Sequence, residues 1–169
     1  MLEKIENEGV VTFTYNHDDL FSDAGRESAY MTKNSAAESG AALDEFALSD
    51  DERELYDSCL DKTVTNLYGF LAKIGAGFDS SADIECEDGN TVKAVRISIK
   101  DNDAYSANAL DLVDKTIAEC LTYGTLSEFY STNANAILQK MTQEKYAGTL
   151  LMLNQRLFQL KKKKMSSLL

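Results

Sequence analysis

The sequence predicts a mainly helical α+β fold: a helical core with a long αα-hairpin, a β-hairpin and flexible terminal arms. Two observations predict it. Apolar residues recur at three- to five-residue spacing after Ser49 and again after Leu110, the period of a buried helix face. Between these regions, residues 91–100 alternate apolar and polar side chains, as a half-buried strand does. With 169 residues in all, we expect a single domain, residues 1–169.

The first 48 residues are expected to form an N-terminal arm and loop. Val10 to Tyr15 is rich in β-branched and aromatic residues and predicts a short strand. Asn16 to Asp19 can cap a short helix that begins at Leu20. Residues 32–45 are small and polar with little periodicity, so we expect a mobile loop that becomes ordered only on assembly.

A strong helix is predicted from Ser49, which can form a Ser-x-x-Glu capping box with Glu52. Gly75 and Gly77 are expected to end this helix, because glycine adopts the left-handed cap conformation at little cost. The predicted helical core, residues 49–160, begins here. The expected buried stripe of this first helix consists of Leu55, Cys59, Val64, Leu67, Leu71 and Ile74.

Residues 82–100 predict a β-hairpin. Val95, Ile97 and Ile99 alternate with polar residues, and the Asp88-Gly89 pair is a turn signal between two β-rich segments. A two-stranded hairpin is barely stable alone, so it needs a helix or a neighbouring subunit to pack against. We therefore expect this hairpin to contribute to a subunit interface.

Two further helices predict an antiparallel αα-hairpin, because only residues 131–135 separate them. Gly124 either weakens the first of these helices by about 1 kcal/mol or allows close helix packing. We expect Ile117, Leu121, Leu150 and Leu157 to share one core. The full predicted apolar sets are Leu110, Val113, Ile117, Cys120 and Leu121 in one helix, and Ile137, Met141, Leu150, Leu151, Leu153, Leu157 and Phe158 in the other, which begins near Ala136.

Charge is distributed unevenly along the chain, whose formal net charge is −11. Residues 1–100 hold 9 basic against 21 acidic residues, a net −12, whereas the last thirty residues have a net charge of +6. The most concentrated basic feature is the run Lys161, Lys162, Lys163 and Lys164, which we assign to a basic tail, residues 161–169. The overall acidity argues against nucleic acid as the main binding partner.

Residue types for catalysis are scarce. His17 is the sole histidine, and we interpret it as a turn or capping residue. We therefore expect no Ser/His/Asp or Cys/His catalytic set. Cys59, Cys86 and Cys120 are widely spaced, as buried thiols in a reducing compartment are. The sequence therefore predicts neither an enzyme nor a metal or cofactor site.

Acidic residues crowd the start of the first strong helix, where Asp50, Asp51 and Glu54 lie. Such a cluster is either a solvated face that suits the positive end of the helix dipole, a surface for a cationic partner or, least favoured, a metal site. The lysine run is either a solvated C-terminus or a hook for an acidic surface or nucleic acid. An acidic face and a basic end on one chain also suit identical subunits that pair head to tail, as a ring requires.

A resemblance adds to these patterns. The segment from Phe13 to Phe21, the long helix from Ser49, the aromatic residues Tyr123, Phe129 and Tyr130 before a helical turn, and the lysine-rich end resemble small structural proteins of tailed phages, including crAss-like phages and prophages of gut Bacteroidales. Those proteins are similar to head–tail connector, or neck ring, components.

The resemblance implies a non-enzymatic virion protein, assembled in the host cytoplasm, that forms a homo-oligomeric ring. Such a ring joins the portal to the tail or to other neck proteins. The ring lines a passage for DNA and does not bind a specific DNA sequence. The resemblance implies no membrane partner. An alternative function is an acidic inhibitor that occupies a basic nucleic-acid-binding surface of a host protein, since the first hundred residues have a net charge of −12. Oligomerisation would favour the connector, whereas tight binding of a monomer to a basic enzyme would favour the inhibitor.

Overall fold

The computed structural model describes residues 10–39, 47–72, 77–85, 91–100 and 107–166. In chain order these form β1 (Val10–Asn16), α1 (His17–Ser39), a short 3-10 turn (Asp50–Glu52), α2 (Arg53–Leu71), β2 (Gly77–Glu85), β3 (Thr91–Lys100), α3 (Ala107–Thr132) and α4 (Ala136–Ser166). The predicted fold class, α+β and mainly helical, is confirmed. Helix α3 lies at the centre and contacts α1, α2 and α4.

The β-hairpin is part of a three-stranded antiparallel sheet in which β3 lies between β1 and β2. Phe13 pairs with Ile97 and Val11 with Ile99, so alternate side chains of both strands point to the same face and are buried. The short strand predicted from Val10 to Tyr15 is confirmed as β1, and it belongs to the sheet rather than to a flexible arm. The residues that pair with this strand lie 78 to 90 positions further along the chain, so local sequence could not reveal them.

The hairpin of β2 and β3 is supported by the third strand, β1. We expected an interface role because an isolated hairpin is weak, but β1 pairs with residues 94–100 of β3 and extends the hairpin into a sheet. Ala94, Val95 and Ile97 are at most 1% exposed within the chain's own core. The inward face of this hairpin is therefore covered by the chain's own core and needs no neighbouring subunit.

Helix α1 is longer than expected, because residues 32–39, predicted to belong to a mobile loop, continue the helix. Its buried side includes Leu20, Ala24, Ser28 and Met31, at helical spacing. Small and hydroxylated members weaken the apolar period that sequence analysis relies on. The Ser28 hydroxyl lies 2.7 Å from the Tyr130 hydroxyl and accepts a 2.7 Å hydrogen bond from the Leu48 amide. A polar side chain therefore anchors α1 at a position where an apolar side chain would be expected.

Helix α2 begins as predicted. The Glu52 carboxylate accepts hydrogen bonds from the Ser49 amide at 3.1 Å and from the Ser49 hydroxyl at 3.2 Å. Of the predicted stripe, Cys59, Val64, Leu67 and Leu71 are buried and Leu55 is partly buried. The helix ends at Leu71 and Gly77 begins β2, so Gly77 does not cap the helix; Gly75 and Ile74 lie outside the described residues.

Helices α3 and α4 form the predicted αα-hairpin. The Arg156 guanidinium, late in α4, donates a 2.6 Å hydrogen bond to the Leu112 carbonyl, early in α3, so the helices run antiparallel. In the turn between them, the Asn135 side chain accepts a hydrogen bond from the Leu138 amide at 3.0 Å and caps the start of α4. Helix α4 continues to Ser166, six residues beyond the predicted core.

The shared core of these two helices is confirmed in part. Ile117, Leu121 and Leu157 are buried, and Leu150 packs partly buried against them. The five apolar positions predicted for α3 are all buried. The assignment of Ile137, Leu151 and Phe158 to the core is wrong, because all three are more than half exposed.

Candidate functional site: interaction surfaces

The acidic residues at the start of α2 face solvent. Asp50, Asp51 and Glu54 are exposed, and no ion pair involves them within the part of the chain that the structure describes. Asp57, one turn further along α2, is paired instead, because it lies 3.3 Å from the Arg53 guanidinium. The free acidic surface, hereafter the acidic end, therefore comprises Asp50, Asp51 and Glu54.

The fold places this acidic end beside the α3–α4 turn. Leu48 and Tyr130 share the Ser28 hydroxyl as a hydrogen-bond partner, which brings the residues before Asp50 next to the last turn of α3. Further along, Thr63 meets Gly124, so α2 runs antiparallel to α3. The first turn of α2 consequently lies at the same end of the bundle as the turn Asn133 to Asn135.

The run Lys161 to Lys164, hereafter the basic run, lies at the other end of the bundle. Lys161 to Lys164 belong to the last turns of α4, so the predicted flexible basic tail is helical as far as Ser166. Lysine is a good helix former and suits the negative end of the helix dipole. Helix α4 starts at the α3–α4 turn, and 25 residues at about 1.5 Å each separate Ala136 from Lys161, roughly 38 Å along the axis. The molecule therefore has an acidic end and a basic end.

The third surface feature is an apolar stripe on the outside of α4. Ile137, Leu151 and Phe158 are 52%, 65% and 62% exposed. They recur at multiples of seven residues, which keeps them on one side of a helix. Because Leu138, Leu153 and Leu157 face the core, α4 is apolar on two sides. We call Ile137, Leu151 and Phe158 the outer stripe.

His17 is buried at the start of α1, not exposed in a turn. Its Nδ1 atom lies 3.7 Å from an Asp57 oxygen, and neither ring nitrogen has a hydrogen-bond partner among the residues that the structure describes. Burial lowers the pKa of His17, and the nearby carboxylates Asp57 and Asp61 oppose that shift only in part. The capping role belongs to its neighbour Asn16, whose side-chain oxygen accepts a 2.8 Å hydrogen bond from the Asp18 amide.

This arrangement predicts a pH dependence of stability. Because the His17 pKa is lower in the folded chain than its ordinary value of 6.5, the unfolded chain binds more protons around that pH, and the free energy of unfolding should fall as pH falls through about 6.5. His17→Phe keeps a ring of similar size and removes the titrating group. Thermal unfolding between about pH 5 and 8 should then show a flatter profile for the variant; parallel profiles would contradict the assignment.

A second buried polar contact joins the sheet to α3. The Tyr15 hydroxyl donates a 2.8 Å hydrogen bond to the Asp114 carboxylate. Burial raises the pKa of Asp114, and the same burial together with this carboxylate raises the pKa of Tyr15 well above its ordinary value. Both partners are satisfied by each other, so this contact serves to anchor β1.

A cleft of about 400 Å³ lies between α1 and α3. It is lined on one side by Asp23, Arg26 and Glu27 and on the other by residues that include Glu119 and Tyr123. Its charges are largely paired internally, since Arg26 binds Asp23 and the Lys145 ammonium lies 3.3 Å from Glu27. The cleft therefore offers little free charge to a ligand.

Cys59 and Cys120 are buried free thiols, as predicted, and Cys86 lies outside the described residues. Burial raises the pKa of both thiols, that of Cys120 to about 11, which disfavours the reactive thiolate. Among the described residues, no three histidine, cysteine or carboxylate side chains lie close enough to hold a metal ion.

Within the same residues, no helix combines the length and apolar character needed to cross a membrane. The surface features that could bind a partner are therefore the acidic end, the basic run and the outer stripe.

Comparison with protein-family models, with curated proteins and with solved structures gives no match for this chain.

Proposed function

We propose that this chain is a structural virion protein, a head–tail connector or neck ring component that assembles with copies of itself and with portal or tail proteins. The observation that carries the proposal is the separation of charge. Asp50, Asp51 and Glu54 are exposed beside the α3–α4 turn, whereas Lys161 to Lys164 lie roughly 38 Å away along α4. One copy thus offers each sign of charge to another copy at a different place.

The mechanism is mechanical. Individual exposed ion pairs contribute only about 0–1 kcal/mol, so a single contact between the basic run and an acidic surface is weak. Repetition around a closed assembly multiplies these contributions. The net charge of −11 also suits a wall along which DNA slides, because like charges do not adhere.

The test replaces Lys161, Lys162, Lys163 and Lys164 together by serine. Assembly, measured by sedimentation velocity and by incorporation into phage particles, should weaken, because the charge attraction is lost. Wild-type assembly should also weaken between about 0.1 M and 1 M salt, where the Debye length falls from ~10 Å to ~3 Å. The quadruple variant should show little of this salt dependence.

A matched control removes four exposed lysines elsewhere. The serine variant of Lys33, Lys62, Lys93 and Lys115 lowers the net charge from −11 to −15, as the first variant does, since each loses four positive charges. It should assemble as the wild type does. Equal loss of assembly in both variants would show that net charge matters and that the position of the basic run does not.

A second candidate is an acidic inhibitor of a basic nucleic-acid-binding protein. It is favoured by one observation: the acidic end is exposed and forms no ion pair with any other residue that the structure describes. Changing Asp50, Asp51 and Glu54 to their amides should abolish binding to a basic enzyme if the inhibitor proposal is right. A chain that stays monomeric at high concentration but binds such an enzyme tightly would favour this candidate over the connector.

A further inference from the structure

The outer stripe on α4 lies on the side of the helix opposite the core. Leu151 and Phe158 are one heptad apart, and Ile137 lies two heptads before Leu151. Seven residues change the direction of a side chain by only about 20° on an ideal helix, so the three share one side. Exposed apolar side chains are ordinary when scattered singly, but a row along one helix marks a contact surface.

The middle of the outer stripe allows close approach. Ala147 and Gly148 lie midway between Ile137 and Phe158 and are exposed. A Cβ atom added to Gly148 would meet nothing within 4 Å, so the surface there is open. A twofold axis between Ala147 and Gly148 would bring Ile137 of one copy against Phe158 of a second copy, and these small residues would face each other at the centre.

We propose that the free chain pairs with a second copy of itself through the outer stripe, with the two α4 helices antiparallel and the twofold axis between Ala147 and Gly148. The pair goes beyond the proposed virion role, because it describes the chain in solution before it meets other components. It covers Ile137, Leu151 and Phe158, which the core leaves exposed.

Charge selects the antiparallel direction. Each α4 runs from the α3–α4 turn, beside the acidic end, to the basic run at Lys161 to Lys164. In the antiparallel register, residues 161–164 of one copy lie level with residues 131–134 of the other. The basic run therefore lies level, along the helix axis, with the end of the second copy that holds Asp50, Asp51 and Glu54. A parallel pair would instead place two runs of four lysines side by side.

The small area of the proposed contact predicts that the two copies bind each other weakly. The contact extends over 21 residues, about 30 Å, and a helix offers a strip roughly 10 Å wide, so two copies together bury on the order of 600 Å². Stable interfaces bury about 1,200–2,000 Å². Glu144 also lies on this side of the helix, level with Leu151 of the second copy, and weakens the apolar contact. We therefore expect dissociation constants above about 1 μM and a clear dependence on salt.

Sedimentation equilibrium of the full chain over a concentration series tests the pair. Phe158→Glu should weaken dimerisation at least tenfold, because it places a charge in the outer stripe. Tyr30→Glu is the matched control, since Tyr30 on α1 is also an aromatic residue and is also 62% exposed. It should leave dimerisation unchanged. Both positions face solvent, so circular dichroism should show the wild-type fold for both variants.

Cysteine cross-linking tests the direction, in a background with Cys86→Ser so that only buried native thiols remain. In the antiparallel register Lys140 lies level with Gln155 of the second copy, whereas like positions are 15 residues apart, about 22 Å. A disulfide needs Cα atoms within about 7 Å. A mixture of the Lys140→Cys and Gln155→Cys variants should therefore form a mixed disulfide dimer on mild oxidation, and neither variant alone should.

Two results would overturn the proposal: self-linking of the Gln155→Cys variant, which indicates a parallel pair, or dimerisation that survives Phe158→Glu. Neither result would bear on the virion role, which is tested by incorporation of the lysine variants into particles. Loss of incorporation with an intact solution pair, or the reverse, separates the two proposals.

Discussion

Replacing Ile117 by alanine is expected to lower the free energy of unfolding by about 2–5 kcal/mol. Ile117 is fully buried in the middle of α3, the helix that contacts α1, α2 and α4. Truncation removes three side-chain carbons and leaves a cavity among side chains held by several elements, so the surroundings can collapse only in part. Chemical denaturation monitored by circular dichroism gives the change directly, and the slope against denaturant should stay constant.

Two further alanine variants set the scale for Ile117. Leu150→Ala should cost less, because Leu150 is only partly buried against the core. Leu151→Ala, at a side chain that is 65% exposed, should change the free energy of unfolding by less than about 0.5 kcal/mol under dilute, monomeric conditions. Equal effects at positions 150 and 151 would show that the described face of α4 is wrong.

Replacing Gly124 by alanine is expected to destabilise the chain by about 1–3 kcal/mol through overpacking. On helix propensity alone the change would stabilise α3 by about 1 kcal/mol. A Cβ at this position, however, would lie 2.5 Å from the Thr63 methyl and 3.0 Å from the Tyr146 ring. Thr63 is buried and β-branched, so its side chain has few other rotamers available. Steric overlap therefore outweighs the propensity gain, and thermal unfolding measures the net effect.

A control and a rescue separate the two contributions. Gly25→Ala in α1 meets open space, so it should stabilise the chain by up to about 1 kcal/mol. Thr63→Ser removes the obstructing methyl and keeps the hydroxyl, which donates a 3.0 Å hydrogen bond to the Cys59 carbonyl. Gly124→Ala should then be less harmful in the Thr63→Ser background. An additive double variant would contradict close packing as the cause.

Sequence alone determined the features that depend on neighbours within about one helical turn. The Ser49–Glu52 cap, the buried stripes of α2 and α3 and the short turn before Ala136 are local patterns of spacing and side-chain chemistry, and the structure has each of them. The clustering of charge is likewise visible in the order of residues. The helix predicted from Leu20 was too short, because residues 32–39 are small and polar and show no apolar period although they continue α1.

Only the tertiary structure decided which side of an element is covered and by what. Helix α4 has apolar residues on two sides, and the position of α3 determines that Leu153 is buried while Leu151 is exposed. The pairing of β1 with β3 removed the expected weakness of the hairpin. The antiparallel course of α2, α3 and α4 places Asp50 and Lys164 at opposite ends of the bundle. These outcomes depend on contacts between residues distant in sequence, whose free energies no local pattern records.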